Sequence, residues 1–160
     1  MTKVAWITGA SRGIGFETAK EFLKLKWHVV VLTRNIDALA DLQRTYKEQL
    51  QVVSWDLAEE ITPERAAQLP KLPVDVLINN AGALVNEPFA QISRADLERV
   101  YATNVFAPFS LVQALLPQFS EQAHVVNISS VGGVQGSVKF PGLTAYSSSK
   151  GALNTLTECL

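Results

Sequence analysis

The chain has 160 residues, the length of one domain, and its 48% hydrophobic and 18% charged residues exclude a disordered protein. Its 14 basic and 15 acidic residues give a net charge of −1 without a basic cluster, which argues against nucleic-acid or membrane partners and favours a small-molecule partner. The single cysteine, Cys159, excludes an internal disulfide, and the isolated His28 and His124 offer no metal-ligand spacing, so we expect no metal.

The cysteine content and the start of the chain favour a reducing, cytoplasmic setting. The first predicted strand begins directly after Lys3, so we expect no hydrophobic leader. No run approaches the roughly 18 consecutive apolar residues that a bilayer span needs. We therefore expect a soluble, untargeted chain.

Five short apolar blocks rich in β-branched residues predict β-strands. Each block is continuous rather than alternating, which is typical of strands covered on both faces in a parallel sheet. The predicted strands are Val4–Thr8, Val29–Thr33, Val52–Trp55, Val74–Asn79 and Val125–Ile128.

Helical patterns follow the strands in turn. The third helix is predicted to start after the N-cap Thr62, and the fourth after Ser93, with Asp96 in a capping-box position and a bend near Pro108. The first predicted helix begins near residue 14, and the other four span 36–49, 62–70, 93–116 and 144–160. This β-α alternation predicts one doubly wound α/β domain over 1–160, with five parallel strands between two helical layers.

A glycine-rich turn joins the first strand to the first helix. It reads Thr8-Gly9-Ala10-Ser11-Arg12-Gly13-Ile14-Gly15, with the spacing G-x-x-x-G-x-G. Glycines let the backbone come close to a diphosphate, whose charge is met by free amides and the positive end of the helix dipole. A turn that merely joins strand to helix is the alternative.

Three motifs together resemble the short-chain dehydrogenase/reductase (SDR) family. They are the glycine turn, Asn79-Asn80-Ala81-Gly82 after the fourth strand, and Tyr146-Ser147-Ser148-Ser149-Lys150 in the last helix. The resemblance implies a Rossmann fold, a nicotinamide cofactor and hydride transfer between that cofactor and a carbonyl or alcohol carbon. The candidate cofactor-binding residues are Gly9, Ser11, Arg12, Gly13, Ile14, Gly15, Thr33, Arg34, Asp56, Leu57, Asn80, Ala81, Gly82, Tyr146 and Lys150.

The end of the second strand favours NADP(H) over NAD(H). An acidic residue there would bind the ribose 2′-hydroxyl and repel a 2′-phosphate. This sequence has Thr33 followed by Arg34, and Arg12 adds a second guanidinium that can pair with a phosphate dianion. Arg34 as a solvated surface residue, and Asp56 as a loop cap, are the alternatives.

Tyr146 and Lys150 are four residues apart, so they share one helix face. An isolated tyrosine has a pKa near 10, and a neighbouring ammonium favours the phenolate, as a general acid/base at neutral pH requires. The resemblance implies that Tyr146 exchanges a proton with the substrate oxygen and that Lys150 also holds the nicotinamide ribose.

The resemblance assigns two further catalytic positions. Ser130, after the fifth strand, would polarise the substrate oxygen, with Ser129 as the alternative. Asn104 would support a water relay to the lysine, and a packing role at a helix bend is the alternative. The tie between neighbouring strands is expected from Asn79.

The sequence departs from the family pattern in three places. Residues 131–145 form a slightly long glycine-rich loop, in which Phe140 and Val138 are candidates for the substrate wall or for core cover. Lys26 occupies a turn where glycine is common. The family continues past its catalytic helix, so we expect a fragment that lacks the substrate-covering portion.

Two other interpretations of the length stay open. A naturally short, non-catalytic nucleotide-binding module could dimerise through its last two helices, and a structural remnant would do neither. The enzyme hypothesis also includes a homo-oligomer formed through these helices. All four catalytic positions carry chemically suitable residues, which favours an enzyme.

Overall fold

The computed structural model describes residues 2–160, and its centre is one parallel β-sheet. The strand order is β3-β2-β1-β4-β5, so the chain builds outward from β1 to one side and then returns to add β4 and β5 on the other. The strands are β1 (Val4–Thr8), β2 (His28–Thr33), β3 (Leu50–Ser54), β4 (Val74–Asn79) and β5 (Phe119–Asn127). This doubly wound arrangement is the predicted Rossmann fold.

Within residues 2–160, six α-helices flank the sheet. They are α1 (Gly13–Lys24), α2 (Ala40–Thr45), α3 (Pro63–Ala66), α4 (Arg94–Tyr101), α5 (Ala107–Leu115) and α6 (Thr144–Cys159). The predicted caps of α3 and α4 are present, since Thr62 Oγ1 accepts from Arg65 N at 3.3 Å and Ser93 forms a reciprocal capping box with Asp96.

Alternating side chains of β1 enter two different cores. Val4 and Trp6 pack on one face of the sheet, where Leu111 and Leu115 of α5 cover them. Ile7 points to the other face, against Ala19 and Leu23 of α1. Both faces of the central strand are therefore covered, which explains why its apolar residues are continuous.

The second predicted helix is too long. Residues 36–49 contain a 3-10 turn (Asp37–Leu39) and the six-residue α2, after which Gln49 N donates to Tyr46 O and the chain turns into β3. Leu50 then pairs with Val29 of β2. Strand pairing, which sequence periodicity does not register, ends the helix early.

The fifth strand is longer than predicted, beginning at Phe119 instead of Val125. β5 lies at the edge of the sheet and its residues are only half-buried or exposed. Its early part therefore carries polar residues and lacks the apolar run that marks the central strands.

A π-helical turn, Ala102–Phe106, joins α4 to α5 into one bent helical segment. Pro108 stands at the start of α5, where it cannot donate the amide that a continuous α-helix would use. The combined segment Arg94–Gln118, with a mean hydropathy of 1.2 over 18 residues, is long and apolar enough to cross a membrane by length and composition alone. Here Leu111 and Leu115 pack on the sheet, as in the core helix of a globular domain.

The carboxyl ends of β1 and β4 meet where the strand order reverses. β1 pairs with β2 on one side and with β4 on the other. Loops that leave β1 and β4 there diverge to opposite sides, which opens a crevice for a ligand.

Candidate active site

The glycine turn after β1 is fixed against the turn after β4. Gly9 has a φ of +67°, and a Cβ added to it would lie 2.8 Å from Ala81 Cα, so only glycine fits there. Gly9 N donates to Leu32 O of β2 at 2.9 Å. The backbone of the turn is thereby held between two neighbouring strands.

Asparagines after β4 lock this arrangement. Asn80 Nδ2 donates to Thr8 O at 3.0 Å and to Gly9 O at 3.1 Å, while Thr8 Oγ1 accepts from the amides of Asn80 and Ala81. Asn79 Nδ2 donates to Asn127 Oδ1 at 2.8 Å, the predicted tie between β4 and β5. The side chain of Asn80 thus orients the glycine turn.

A cleft of about 620 Å³ lies over these turns. Most of the predicted cofactor residues line it, namely Gly9, Ser11, Arg12, Gly13, Thr33, Arg34, Asp56, Leu57, Asn80, Ala81 and Gly82. Ile14 and Gly15 do not, because Ile14 is exposed on α1 and Gly15 is buried beneath the Asn80 side chain. Tyr146 and Lys150 lie outside this lining.

Sequence reasoning missed seven residues of the cleft, of which five adjoin predicted cofactor residues and two lie on another helical segment. Arg99 and Thr103 stand four residues apart on the helical segment that carries Asn104, a spacing that could have signalled one shared face. Trp55 and Ala58 flank Asp56 and Leu57, which are among the predicted cofactor-binding residues. The full set of missed residues is Leu32, Asn35, Trp55, Ala58, Ala83, Arg99 and Thr103.

The start of α1 suits an anion. Its N-cap is Arg12, whose side chain accepts no hydrogen bond, and its first turn contains no acidic residue. The first amides of this 12-residue helix are therefore not capped by a side chain, at the positive end of the helix dipole. This donor set, next to a close-packed glycine turn, fits the diphosphate of a dinucleotide.

Arg12, Arg34 and Asp56 bring charge to the lining of the cleft. Arg34 is exposed, and its Nη1 lies 4.0 Å from Asp56 Oδ2. Asp56 Oδ1 accepts from Ala58 N at 2.9 Å, so Asp56 caps its loop while it also lines the cleft. With Arg12 and Arg34 against one Asp56, the local charge favours an anionic ligand.

Asn104 lies in the π-helical turn and is completely buried. Its Oδ1 accepts from Ala83 N at 2.7 Å, and its Nδ2 donates to Ala83 O and to Ser149 Oγ, both at 2.9 Å. Ser149 Oγ donates in turn to Tyr146 O at 2.7 Å. Asn104 therefore links the loop after β4 to the helix that carries Tyr146 and Lys150.

Lys150 is a buried lysine beside Tyr146. Its side chain is on a residue only 3% exposed, and Nζ donates to Ile128 O at 2.6 Å and lies 5.8 Å from the Tyr146 ring centroid. Burial lowers the pKa of Lys150 from its ordinary value. A Cβ on Gly82 would lie 3.9 Å from Nζ, so the lysine reaches the edge of the cleft.

Two serines follow β5 and have different partners. Ser129 Oγ donates to Lys150 O at 3.3 Å, so this hydroxyl is used to attach α6. Ser130 Oγ accepts from Gly132 N at 3.2 Å, and this leaves its own O–H free to donate. A Cβ on Gly133 would lie 2.6 Å from the Lys150 carbonyl carbon, so the turn after Ser130 packs directly on α6.

A second groove, of about 1020 Å³, runs along α6 on the side of the 131–143 loop. Phe140 lines this groove and is exposed, whereas Val138 is exposed without lining it. Neither side chain covers the core, so the core-cover alternative is wrong for both residues. Lys26 has a φ of +63°, in keeping with a position where glycine is common.

A sequence model of the family described as short chain dehydrogenase matches residues 3–160. The chain belongs to the short-chain dehydrogenase family. This confirms the resemblance and the Rossmann fold that the three motifs implied. The individual site roles stay predictions, now with a geometry.

This short-chain dehydrogenase is similar to several proteins of known sequence or structure. L-xylo-3-hexulose reductase of Hypocrea jecorina is 37% identical over 98% of this chain and 60% of its own length. A 4-hydroxyisoleucine dehydrogenase complexed with NADH has a TM-score of 0.87 and 34% identity, over 99% of this chain and 66% of the other. A short chain dehydrogenase of Shigella flexneri complexed with NADP has a TM-score of 0.83 and 30% identity, over 96% and 68%.

The present chain is shorter than these relatives. Among curated relatives it spans from 51% of a mouse dehydrogenase/reductase to 63% of a pig carbonyl reductase. The matched part holds the cleft, Asn104, Ser130, Tyr146 and Lys150.

Proposed function

We propose that this short-chain dehydrogenase is the cofactor-binding and catalytic part of an NADP(H)-dependent oxidoreductase. Its reaction is hydride transfer between the nicotinamide and the carbonyl or alcohol carbon of a small molecule. The observation that carries the proposal is the buried Lys150 ammonium, beside Tyr146 on α6 and at the edge of a cleft with unpaired helix amides.

The cleft would hold the cofactor, which supplies the hydride when bound. The α1 amides and the glycine turn bind the diphosphate, and the turn at Asn80, Ala81 and Gly82 supports the adenosine and ribose side. Asp56 and Leu57 would contact the adenine ring of the bound cofactor. Each of these segments is attached to a sheet strand, so the site is largely preformed.

Tyr146 exchanges the proton of the reaction. In the reducing direction its hydroxyl donates a proton to the substrate oxygen as the carbon receives hydride, and in the oxidising direction the phenolate takes that proton back. Ser130 donates its free O–H to the same oxygen and orients it. The result is an alcohol in one direction and a carbonyl in the other.

Lys150 and Asn104 serve the tyrosine. The Lys150 ammonium stabilises negative charge on the Tyr146 oxygen and holds the cofactor ribose. Asn104 fixes the Ala83 backbone and Ser149 on opposite sides of the site. The segment that must hold the acid and the segment that borders the cofactor are thus kept in one geometry.

Replacement of Tyr146 by Phe tests the catalytic assignment. NADPH oxidation is measured against a panel of ketoses, keto-esters, quinones and steroids, with ketoses first because one relative is a hexulose reductase. We expect Tyr146→Phe to retain NADPH affinity and to lose about 10²–10⁴-fold in turnover, the usual contribution of a general acid. Ser147→Ala on the same helix serves as the control. Unchanged turnover would contradict the assignment.

Arg34 is proposed to select NADP(H) through its 2′-phosphate. We expect Arg34→Ala to weaken NADPH binding about 10- to 100-fold, the equivalent of the ~1.5–3 kcal/mol of a hydrogen bond to a charged group, and to leave NADH unchanged. Arg44→Ala, on exposed α2, is the matched control. Titration calorimetry gives both constants, and wild-type protein that binds NADH as tightly as NADPH would rule out the phosphate contact.

A non-catalytic nucleotide-binding module is the second candidate. The observation in its favour is the cleft itself, whose lining can hold a nucleotide without any of the proposed catalytic residues. NADPH binding by the wild-type protein, together with no oxidation of NADPH across the whole substrate panel, would select this function.

A further inference from the structure

Arg65 on α3 holds the loop that follows β3. Its Nη1 donates to Glu59 O at 2.8 Å and to Glu60 O at 3.1 Å, and its Nη2 donates to Asp56 O at 2.5 Å. One guanidinium therefore binds three backbone carbonyls of a single five-residue segment, 56–60. The Arg65 side chain itself is only 17% exposed.

The same guanidinium lies over the Trp55 ring. The Arg65 Cζ atom lies 4.3 Å from the Trp55 ring centroid, and Trp55 is buried and lines the cleft. Arginine can use its edge for hydrogen bonds and its face for stacking at the same time, which lysine cannot. Arg65 thus holds segment 56–60 by hydrogen bonds at its first residue, Asp56, and at its last, Glu60.

The local fold presents Arg65 to this segment. α3 has only four residues, starts with Pro63, and is capped by Thr62, whose hydroxyl accepts from the Arg65 amide. Arg65 also lies 3.1 Å from the Glu59 carboxylate, which is 67% exposed. An exposed ion pair contributes little to stability. The hydrogen bonds to the backbone carbonyls and the contact with Trp55 therefore hold the segment in place.

Segment 56–60 forms one wall of the cleft. Asp56, Leu57 and Ala58 line it, whereas Arg65 does not. If the segment lost its anchor, a nucleotide could bind only to the fraction of molecules in which the wall happens to be formed, and its apparent affinity would fall by that fraction.

We propose that Arg65 is a positioning residue for the adenosine end of the cleft. It holds segment 56–60 in the binding conformation without touching the ligand. This inference rests on the proposed nucleotide-binding function.

The test is the affinity for adenosine 2′,5′-bisphosphate, which represents the adenosine end alone. We expect Arg65→Met to weaken its binding about tenfold by titration calorimetry, and Arg65→Lys, which keeps the charge but not the fork, to show a smaller loss. Arg44→Met is the matched control with no expected change, because Arg44 pairs with Asp41 away from the cleft.

Hydrogen exchange supplies a readout that a general stabilising role would not give. Without ligand, the amides of 57–60 should exchange faster in Arg65→Met, while those of β1 and β4 keep the wild-type rate. With a reducible substrate, the KM for NADPH should rise while kcat at saturating NADPH is retained.

The outcomes separate this proposal from the one beneath it. Wild-type protein that binds neither NADPH nor the bisphosphate overturns the proposed function and the inference with it. Wild-type binding together with equal affinity in Arg65→Met, or faster exchange throughout the sheet, overturns the inference alone. If Arg65→Met does not fold, Arg65→Lys carries the comparison, and wild-type affinity in that variant overturns the inference.

Discussion

Lys150 carries a positive charge at a position that is almost closed to water. Its ammonium has one hydrogen-bond acceptor in the structure, the carbonyl of Ile128. Because burial lowers its pKa, the folded protein binds this proton less tightly than the unfolded chain does. The charge that serves catalysis therefore opposes folding.

This opposition predicts a pH dependence of stability. Between the lowered pKa of folded Lys150 and its ordinary value of 10.5, the unfolded state binds more protons, so stability rises with pH in that window. We expect the unfolding free energy of the wild type to increase relative to Lys150→Met as the pH rises toward 10.5. Urea unfolding at several alkaline pH values measures the difference, and a constant difference would contradict the expectation.

Single residues also mark the limit of what sequence could predict. Asn104 was identified through its motif, but Ser149, which binds its amide, was not, although it stands beside Lys150. Their hydrogen bond joins positions 45 residues apart, and only the contact between the π-helical turn and α6 creates it. Arg65 escaped notice for the same reason, since its partners are backbone carbonyls that have no sequence signature.

Among the elements, those with a local physical cause were predicted well. The capping residues Thr62 and Ser93 and the apolar central strands are readable from neighbours along the chain. The end of α2 and the start of β5 depend on pairing with other strands, and both were placed wrongly. The order of the strands in the sheet was not predicted, because β-α alternation indicates a parallel sheet without specifying which strands are neighbours.

The capping box of α4 predicts a measurable contribution to stability. We expect Ser93→Ala to lower the Tm by about 2–4 °C, because a lost N-cap costs about 1 kcal/mol in a protein of this size. Hydrogen bonds from Ser93 lower the pKa of Asp96 below its ordinary value of 3.8. The contribution is therefore present above that value and is lost as the pH falls through the lowered pKa.

Calorimetry at neutral and acidic pH tests this. The difference between Ser93→Ala and the wild type should shrink in acid, and Asp96→Asn, which cannot titrate, should remove that change. A Tm difference that is the same at both pH values would argue against the capping role of the carboxylate.

On the scale of the whole molecule, part of the high apolar content lies exposed on the surface. Phe106, Phe109 and Leu116 are 59%, 48% and 58% exposed, and they lie on or next to α5. Large exposed apolar patches mark interaction sites. These residues lie at α5, one of the last two helices, and we propose that a homo-oligomer forms through this patch.

Charge placed on this patch should separate the copies. We expect the double substitution Phe106→Glu and Phe109→Glu to convert the oligomer to a monomer in sedimentation velocity, with the far-ultraviolet circular dichroism unchanged. Leu25→Glu, at an exposed position after α1, is the control. A wild-type protein that sediments as a monomer at micromolar concentration would refute the proposal.

The π-helical turn sets the phase between two halves of one helix. Arg99 before the turn and Thr103 within it line the cleft, and after the turn Leu111 and Leu115 pack on the sheet. Each residue advances an α-helix by about 100°, so removing one residue from this turn would rotate all of α5 by that angle relative to α4. The π-helical turn around Asn104 therefore sets the rotation of α5 about its axis relative to α4. This allows one helical segment to contribute both to a binding site and to a hydrophobic core that lie in different directions.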